Sequence, residues 1–91
     1  MENNFKTFID VRTPGEYREG HFPGAINIPL GEVTARMEKI KELPQPIALY
    51  CKSGNRSGMA ASILQQNGME AVVNVGGLED MMRFGNEKAG K

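Results

Sequence analysis

The chain contains one cysteine, and small, polar and basic residues follow it in the run Cys51-Lys52-Ser53-Gly54-Asn55-Arg56-Ser57. Between residues 43 and 69 the only charged side chains are those of Lys52 and Arg56, and both are cations. Backbone N–H groups of such a loop can converge on an anion, and nearby positive charge lowers the pKa of a thiol to between about 3.5 and 7.5. A cysteine that only packs in a core would have apolar neighbours. The pattern therefore predicts that Cys51 is a reactive thiolate.

The segments on either side of this loop are predicted to be a strand and a helix. The apolar run 47–50 is typical of a buried parallel strand, and it places Cys51 directly after that strand. The helix that follows is expected to end at Gly68. Its inward stripe is predicted to consist of Met59, Ala60, Ile63, Leu64 and Asn67. Ligands of open α/β sheets bind beyond the carboxyl ends of the strands, and Gly54 permits the unusual backbone angles that a tight anion-binding loop needs.

Strands and helices alternate along the rest of the chain. Strands are predicted at 6–11, 25–28 and 71–75, and helices at 14–18, around 33–40 and at 78–84. Thr13 is expected to cap the first helix, and Gly76-Gly77 is expected to form a turn. The alternation is typical of an α/β fold built on a mainly parallel sheet. The 91 residues are expected to form a single domain (1–91), with its core at about 6–84 and a flexible tail at 85–91.

Composition argues against several classes of protein. Eleven basic residues balance eleven acidic ones, so the charge favours neither nucleic acid nor a membrane surface as a partner. No apolar run approaches the length of a membrane-spanning helix. With one cysteine and one histidine, neither an intramolecular disulfide nor a metal site is expected. A small neutral domain without coiled-coil heptads is expected to be a monomer.

The first residues bear on the cellular location. The run Met1-Glu2-Asn3-Asn4 lacks the basic start and the apolar stretch of a signal peptide. A cytoplasmic location is therefore expected. The alternative is the periplasm, if a signal peptide has been removed.

Three blocks of sequence, in order, resemble the rhodanese homology domain over the region from about Phe8 to about Met82. They are Ile9-Asp10-Val11-Arg12 with Glu16-Tyr17 and Gly20-His21-Phe22-Pro23-Gly24-Ala25-Ile26-Asn27-Ile28-Pro29; Tyr50-Cys51 through Ser57; and Gly76-Gly77-Leu78. The chain is most similar to the small phage-shock-protein-E branch of that family. The resemblance implies a mainly parallel five-stranded sheet flanked by helices on both faces. It also implies sulfur transfer through a cysteine persulfide, with no metal and no organic cofactor.

The resemblance further implies roles for individual residues. Cys51 corresponds to the nucleophile that takes the outer sulfur of a donor such as thiosulfate. The substrate-binding loop corresponds to Lys52, Ser53, Gly54, Asn55, Arg56 and Ser57. Within it, Arg56 would hold the anionic end of the donor and Ser57 would donate to the cysteine sulfur. Asp10 and Arg12 correspond to positions that support the loop through charged hydrogen bonds.

The partners implied are a small anionic sulfur donor and a thiol or cyanide acceptor, with a sulfur-relay protein as a further candidate. Many members of the family carry a tryptophan shortly after the paired glycines, whereas this chain has no tryptophan. A substrate contact made by that ring is therefore in doubt. His21 is expected to brace a turn rather than to act as a general base.

Two other functions compete with sulfur transfer by turnover. A sulfur-carrier or sensor module would use the same persulfide chemistry without efficient turnover of small donors. A cysteine phosphatase of the cell-cycle type would share the fold, but its loop places one more residue between cysteine and arginine. The four residues between Cys51 and Arg56 give a narrower loop, which suits a smaller, sulfur-centred group.

Overall fold

Four parallel strands form a sheet at the centre of the structure, a computed structural model that describes residues 5–89. The strands are β1 (Thr7–Asp10), β2 (Ile26–Asn27), β3 (Ile47–Cys51) and β4 (Val72–Gly77). The helices are α1 (Pro14–Glu19), α2 (Met37–Lys41), α3 (Asn55–Gln66) and α4 (Leu78–Ala89), with a 3-10 helix at Leu30–Glu32. The order across the sheet is β2-β1-β3-β4, and every neighbouring pair is parallel. The predicted α/β class and parallel sheet are confirmed.

Strand β3 runs through the core, and all five of its residues are buried. Ile47, Leu49 and Cys51 belong to one apolar cluster, which includes residues of α2 and α3. Ala48 and Tyr50 belong to a second cluster, which includes residues of α1 and α4. Successive side chains of a strand point to opposite faces, so an unbroken apolar run fits a strand that is covered on both sides. Helices therefore flank both faces of the sheet, as expected.

The family resemblance implied five strands, and this number is wrong: the described residues form four. The residue pattern itself predicted only these four, and the fifth came from the family resemblance. The long connection between β2 and β3 contains Pro29, Pro44 and Pro46. Proline has no N–H to donate to a sheet, and this connection forms the 3-10 helix and α2 instead.

The end of β4 also differs from the prediction. Gly76 and Gly77 continue the strand rather than form a turn, and Gly77 lies opposite Cys51. A β-bulge precedes them, because Val75 has no partner in the register between β3 and β4. The bulge shifts the pairing by one residue and brings the two glycines beside the end of β3.

The predicted tail at 85–91 is helical as far as Ala89, so that prediction is wrong for residues 85–89. Residues 90 and 91 lie outside the described residues, as do residues 1–4, on which the expectation about a signal peptide rests. Glycine weakens a helix, but Gly85 lies against the ring of Phe22: a Cβ added to Gly85 would be 2.6 Å from a ring carbon. This packing leaves no room for a side chain at position 85, so a glycine fits there.

Helix α3 buries a face of small residues. Ser57, Ala60, Ala61 and Leu64 are buried, whereas Met59, predicted to be on the inward stripe, is 57% exposed. The buried face of α3 is therefore rotated about the helix axis relative to the predicted stripe, so that it includes Ser57 and Ala61 and leaves out Met59. Among the described helices, none is both long enough and apolar enough to cross a membrane.

Candidate active site

Cys51 is the last residue of β3, whereas the prediction placed it directly after the strand. Its side chain lies at the carboxyl end of the sheet, where ligands of α/β proteins bind. The residue is only 1% exposed. The backbone N–H of Gly54 donates to Cys51 Sγ at 3.0 Å, so the loop closes over the sulfur from its own backbone.

Three glycines allow that loop to pack against the end of β4. Gly54 has φ of +99°, a left-handed conformation that residues with a Cβ rarely adopt. A Cβ added to Gly54 would lie 3.3 Å from the Cα of Gly76. At Gly77 a Cβ would overlap the carbonyl oxygen of Lys52. The paired glycines of β4 are therefore one wall of the site, and only residues without a side chain fit there.

Hydrogen bonds decide the ionisation of Cys51. Burial raises the pKa of the thiol, but hydrogen bonds from the Ser57 hydroxyl and from the backbone N–H groups of Ser57, Ser53 and Gly54 outweigh burial. Together they lower the pKa to about 7. Thiol and thiolate are then present in comparable amounts at neutral pH. A pKa in this range was expected from the loop's N–H groups and its positive charge, and the hydrogen bonds of the loop are its main source.

Arg56 has a partner that sequence reasoning missed. Its Nη1 lies 2.8 Å from Glu16 Oε1 and its Nη2 lies 3.1 Å from Glu16 Oε2, a two-pronged ion pair. The same carboxylate accepts from the backbone N–H of Thr13 at 3.0 Å and completes the capping box of α1. The bond to Arg56, with the cap at Thr13, lowers the pKa of Glu16 to about 2. Arg56 was expected to point its guanidinium at the loop's anion site, but here the guanidinium binds a carboxylate of α1.

The sequence held a signal for this pair. Threonine followed three residues later by glutamate is the pattern of a capping box, and it fixes a carboxylate at the start of α1. What the sequence could not show is that this helix terminus faces the start of α3, 40 residues away.

Ser57 is fully buried, and its hydroxyl oxygen lies 3.4 Å from Cys51 Sγ. It lies closer, at 2.6 Å, to Oδ1 of Asn74 in β4. Sequence reasoning did not select Asn74. The available signal was a single amide in a strand whose other early residues are valine.

The remaining loop residues are more open. Lys52, Ser53 and Asn55 are exposed around the buried sulfur. Lys52 also lines an open cavity of about 380 Å³ beside the loop. The charged side chains around this cavity are Arg12, Glu16, Glu19, Lys52, Glu79 and Asp80. Lys52, Ser53 and Asn55 thus form an exposed rim around Cys51, next to a cavity of mixed charge, whereas Ser57 is buried beside the sulfur.

Asp10 and Arg12 form a buried ion pair, with Arg12 Nη2 at 2.7 Å from Asp10 Oδ2. The hydrogen bond to Asp10 raises the pKa of Arg12 despite burial. Arg12 also donates to the carbonyl oxygen of Gly20 at 2.7 Å. This pair was expected to support the Cys51 loop, but its hydrogen bonds support the segment after α1. The pair reaches the site only where Arg12 lines the cavity.

His21 packs beside this segment. Its Nδ1 lies 2.8 Å from the carbonyl oxygen of Tyr17, and its ring stacks on that of Tyr17 at 3.7 Å between centroids. These contacts fit the expected role in bracing a turn. Among the side chains of residues 5–85, no three of the histidine, cysteine, aspartate or glutamate types come together to hold a metal ion.

Comparison with known proteins gives the family of the chain. Residues 1–83 match the family described as the Rhodanese-like domain. Thiosulfate sulfurtransferase PspE of Escherichia coli is 43% identical over 75 residues, which cover 81% of this chain and 72% of that protein. The putative sulfur carrier protein YrkF of Bacillus subtilis is 43% identical over 67 residues, 74% of this chain but 36% of that longer protein. The solved structure of a rhodanese with anions from E. coli superposes with a TM-score of 0.72 at 43% identity, covering 81% of this chain and 88% of that one. The chain therefore belongs to the rhodanese-like domain family and has sulfurtransferases among its relatives.

Proposed function

We propose that the protein is a thiosulfate sulfurtransferase that carries sulfane sulfur as a persulfide on Cys51. The donor is thiosulfate or another persulfide, and the acceptor is cyanide or a thiol. The observation that supports this most strongly is the environment of the Cys51 sulfur. It lies at the end of β3, accepts the Gly54 N–H at 3.0 Å, and has a pKa of about 7. A thiol of this kind supplies thiolate at neutral pH without a separate base.

The reaction has two displacement steps. In the first, the Cys51 thiolate attacks the outer sulfur of thiosulfate, the S–S bond of the donor breaks, and sulfite leaves with the electron pair of that bond. In the second, cyanide or a thiolate attacks the outer sulfur of the Cys51 persulfide. The bond between the two persulfide sulfurs breaks, the Cys51 thiolate leaves, and thiocyanate or a new persulfide is released. No external oxidant or reductant is needed.

The loop stabilises negative charge on sulfur at each stage. The backbone N–H groups of Ser53, Gly54 and Ser57 lower the pKa of the thiol, which means that they favour its charged form. A persulfide anion places comparable charge beside the same donors. The loop glycine and the glycines at the end of β4 keep these N–H groups close to the sulfur. The Ser57 hydroxyl and the backbone N–H groups of the loop therefore together favour negative charge on the sulfur.

Arg56 is proposed to bind the anionic end of the donor, which replaces the Glu16 carboxylate on its guanidinium. Its planar fork is matched to the oxygens of a sulfonate as well as to those of Glu16. The pair is about one-third exposed, with side-chain exposures of 33% for Arg56 and 29% for Glu16, so water and ions reach it. Exposed ion pairs contribute little to stability, and a donor can displace Glu16 at small cost.

A sulfur-carrier function is the second candidate, and one observation favours it. Cys51 is 1% exposed, so a donor reaches its sulfur only through the rim formed by the loop. A protein donor that opens this rim would load Cys51 faster than a free small anion. The relative named as a putative sulfur carrier has the same kind of domain within a longer chain.

A steady-state assay with thiosulfate and cyanide tests the proposal, with thiocyanate as the product measured. The expected result is saturable turnover by the wild-type protein and none by Cys51→Ser. Intact-mass measurement after incubation with thiosulfate should show one added sulfur atom, which cyanide removes. An adduct without turnover would favour the carrier function, and an adduct that persists in Cys51→Ser would place the sulfur on another residue. A protein that forms no adduct with thiosulfate or with a persulfide donor would refute both.

A further inference from the structure

The register of the sheet places Asn74 on the same face as Cys51. Leu49 is the partner of Asn74 in the pairing of β3 with β4. Side chains of paired residues lie on one face, and Cys51 is two residues beyond Leu49 on that face. Helix α3 covers this face of the sheet. The amide of Asn74 therefore lies beside the first turn of α3, where the active-site loop ends.

The Asn74 amide is held at both of its polar atoms. Its Nδ2 donates to the carbonyl oxygen of Gly54 at 3.0 Å, and its Oδ1 accepts from the Ser57 hydroxyl at 2.6 Å. Turning the amide over would bring Oδ1 against the Gly54 carbonyl oxygen, two acceptors with no proton between them. Gly58 leaves room for the amide, since a Cβ there would be 3.2 Å from Nδ2. The direction of the amide oxygen is thus fixed by the loop.

The Ser57 hydroxyl has a single proton and several acceptors within reach. Asn74 Oδ1 is at 2.6 Å, while Cys51 Sγ and the carbonyl oxygen of Gly76 are both at 3.4 Å. The shortest contact takes the proton, so the hydroxyl donates to Asn74 and turns a lone pair towards the sulfur. In this direction it can accept a hydrogen bond from the neutral thiol but cannot stabilise a thiolate. It stabilises negative sulfur only after it turns away from Asn74.

We propose that Asn74 is a positioning residue: its amide oxygen competes with the Cys51 sulfur for the Ser57 proton. The hydroxyl then donates to the sulfur when the sulfur is negative, as thiolate or persulfide anion, and returns to Asn74 when it is not. The inference rests on the proposed function in taking Cys51 as the reacting thiol. Its test measures the ionisation of the thiol and needs no turnover. The result of that test is therefore independent of the result of the thiosulfate assay.

The test is the pH dependence of Cys51 alkylation by iodoacetamide in four proteins: wild type, Asn74→Ala, Ser57→Ala and the double variant. Removing the competing acceptor should lower the apparent pKa of the thiol by about 0.5–1 pH unit, since one hydrogen bond is redirected to the thiolate. Ser57→Ala should raise that pKa by a similar amount. In the Ser57→Ala background, replacing Asn74 should then change nothing.

A matched control comes from Asn67, whose Nδ2 also donates to a backbone carbonyl oxygen, that of Ile63 at 2.8 Å. Asn67→Ala removes the same kind of bond at the other end of α3 and should leave the thiol pKa unchanged. All charged groups around the site are kept in every one of these variants, so none can account for a difference. These groups are Lys52, Arg56, Arg12, Glu16, Glu19, Glu79 and Asp80.

Two results would overturn the inference. The pKa of the thiol could stay the same or rise in Asn74→Ala, or it could shift equally with and without the Ser57 hydroxyl. The second result would mean that Asn74 acts by holding the Gly54 carbonyl. Asn74 is exposed on β4, and thermal unfolding checks that each variant is folded. If Asn74→Ala does not fold, Asn74→Asp replaces it: the carboxylate should raise the pKa both by its negative charge and as a stronger acceptor for the Ser57 proton, and only the second contribution should disappear once Ser57 is alanine.

Discussion

Replacing Glu16 by glutamine should strengthen the binding of thiosulfate. Glu16 occupies both prongs of the Arg56 guanidinium, at 2.8 and 3.1 Å. If the donor binds by displacing this carboxylate, its apparent affinity is reduced by the free energy of the ion pair. Glutamine keeps an oxygen that can accept the Thr13 N–H, because glutamine serves in a capping box as glutamate does. The substitution therefore removes the charge and leaves the start of α1 capped.

The expected size follows from the exposure of the pair. Ion pairs at the surface contribute about 0.2–1 kcal/mol, and two-pronged geometry places this one near the upper limit. A value near 1 kcal/mol corresponds to about a fivefold change in an equilibrium constant. The KM for thiosulfate should fall by about that factor with kcat unchanged, because the substitution does not touch the sulfur. Initial rates over a range of thiosulfate concentrations, at fixed cyanide and ionic strength, measure both quantities.

The pH of the assay does not disturb this comparison. The pKa of Glu16 is lowered to about 2, chiefly by its bond to Arg56. A carboxylate with a lowered pKa contributes its full stabilisation above the unfolded value of about 4.3 and loses it as the pH falls towards 2. Near neutral pH the pair is fully formed in the wild-type protein, so the effect of Glu16→Gln should be constant from weakly acidic to alkaline conditions.

Glu19 provides the control. It is an exposed residue of α1 that lines the same cavity, and in the described structure it makes no ion pair with Arg56. Glu19→Gln removes the same charge from the same helix. If both substitutions lower KM equally, the effect is a general loss of negative potential. If Glu16→Gln leaves KM unchanged, the donor does not compete with Glu16 for Arg56, and the proposed role of that arginine is refuted.

Three further predictions concern the loop. Cys51→Ser should leave less than about 1% of the sulfurtransferase activity with the fold intact by circular dichroism, and higher residual activity would mean a second sulfur carrier. Arg56→Ala should lower kcat/KM for thiosulfate about tenfold or more, with Arg56→Lys between the two, because lysine keeps the charge but not the fork; equal kinetics in all three would remove Arg56 from the donor site. Gly77→Ala should lower the free energy of unfolding in urea by about 1–3 kcal/mol, because the added methyl group would overlap the Lys52 carbonyl oxygen. Gly31→Ala is the control and should be close to neutral, since an added Cβ there has no atom within 4 Å. Similar losses in the two variants would contradict the packing described.

The sequence was most informative where structure is local. The strand ending at Cys51, the basic loop, the following helix and the Thr13 cap all depend on neighbouring residues, and they were predicted close to their observed positions. An apolar run, a glycine and a capping residue each restrict the backbone within a few positions. The pKa range of the thiol could also be predicted, because N–H groups that converge on a sulfur stabilise the thiolate and lower the pKa.

The parts that could not be predicted depend on which surfaces the fold brings together. Nothing near Arg56 in the sequence indicates that its guanidinium binds Glu16, because the two residues are 40 positions apart. Asn74 faces the loop only because of the register between β3 and β4. The rotation of α3 that leaves Met59 exposed is likewise set by packing against the sheet, and intrinsic preference does not determine it.

The bulge at Val75 has a consequence for how copies of this protein behave at high concentration. Strand β4 is at the edge of the described sheet, and Val73 on it is 45% exposed. An open edge with an apolar side chain is a template on which another chain can add a strand. Regular pairing with β3 runs only from Val72 to Asn74 before the bulge interrupts it. Three residues of straight edge give a second copy little to extend, so the same irregularity that brings the glycines to the thiol should also disfavour edge-to-edge addition of a strand from another copy.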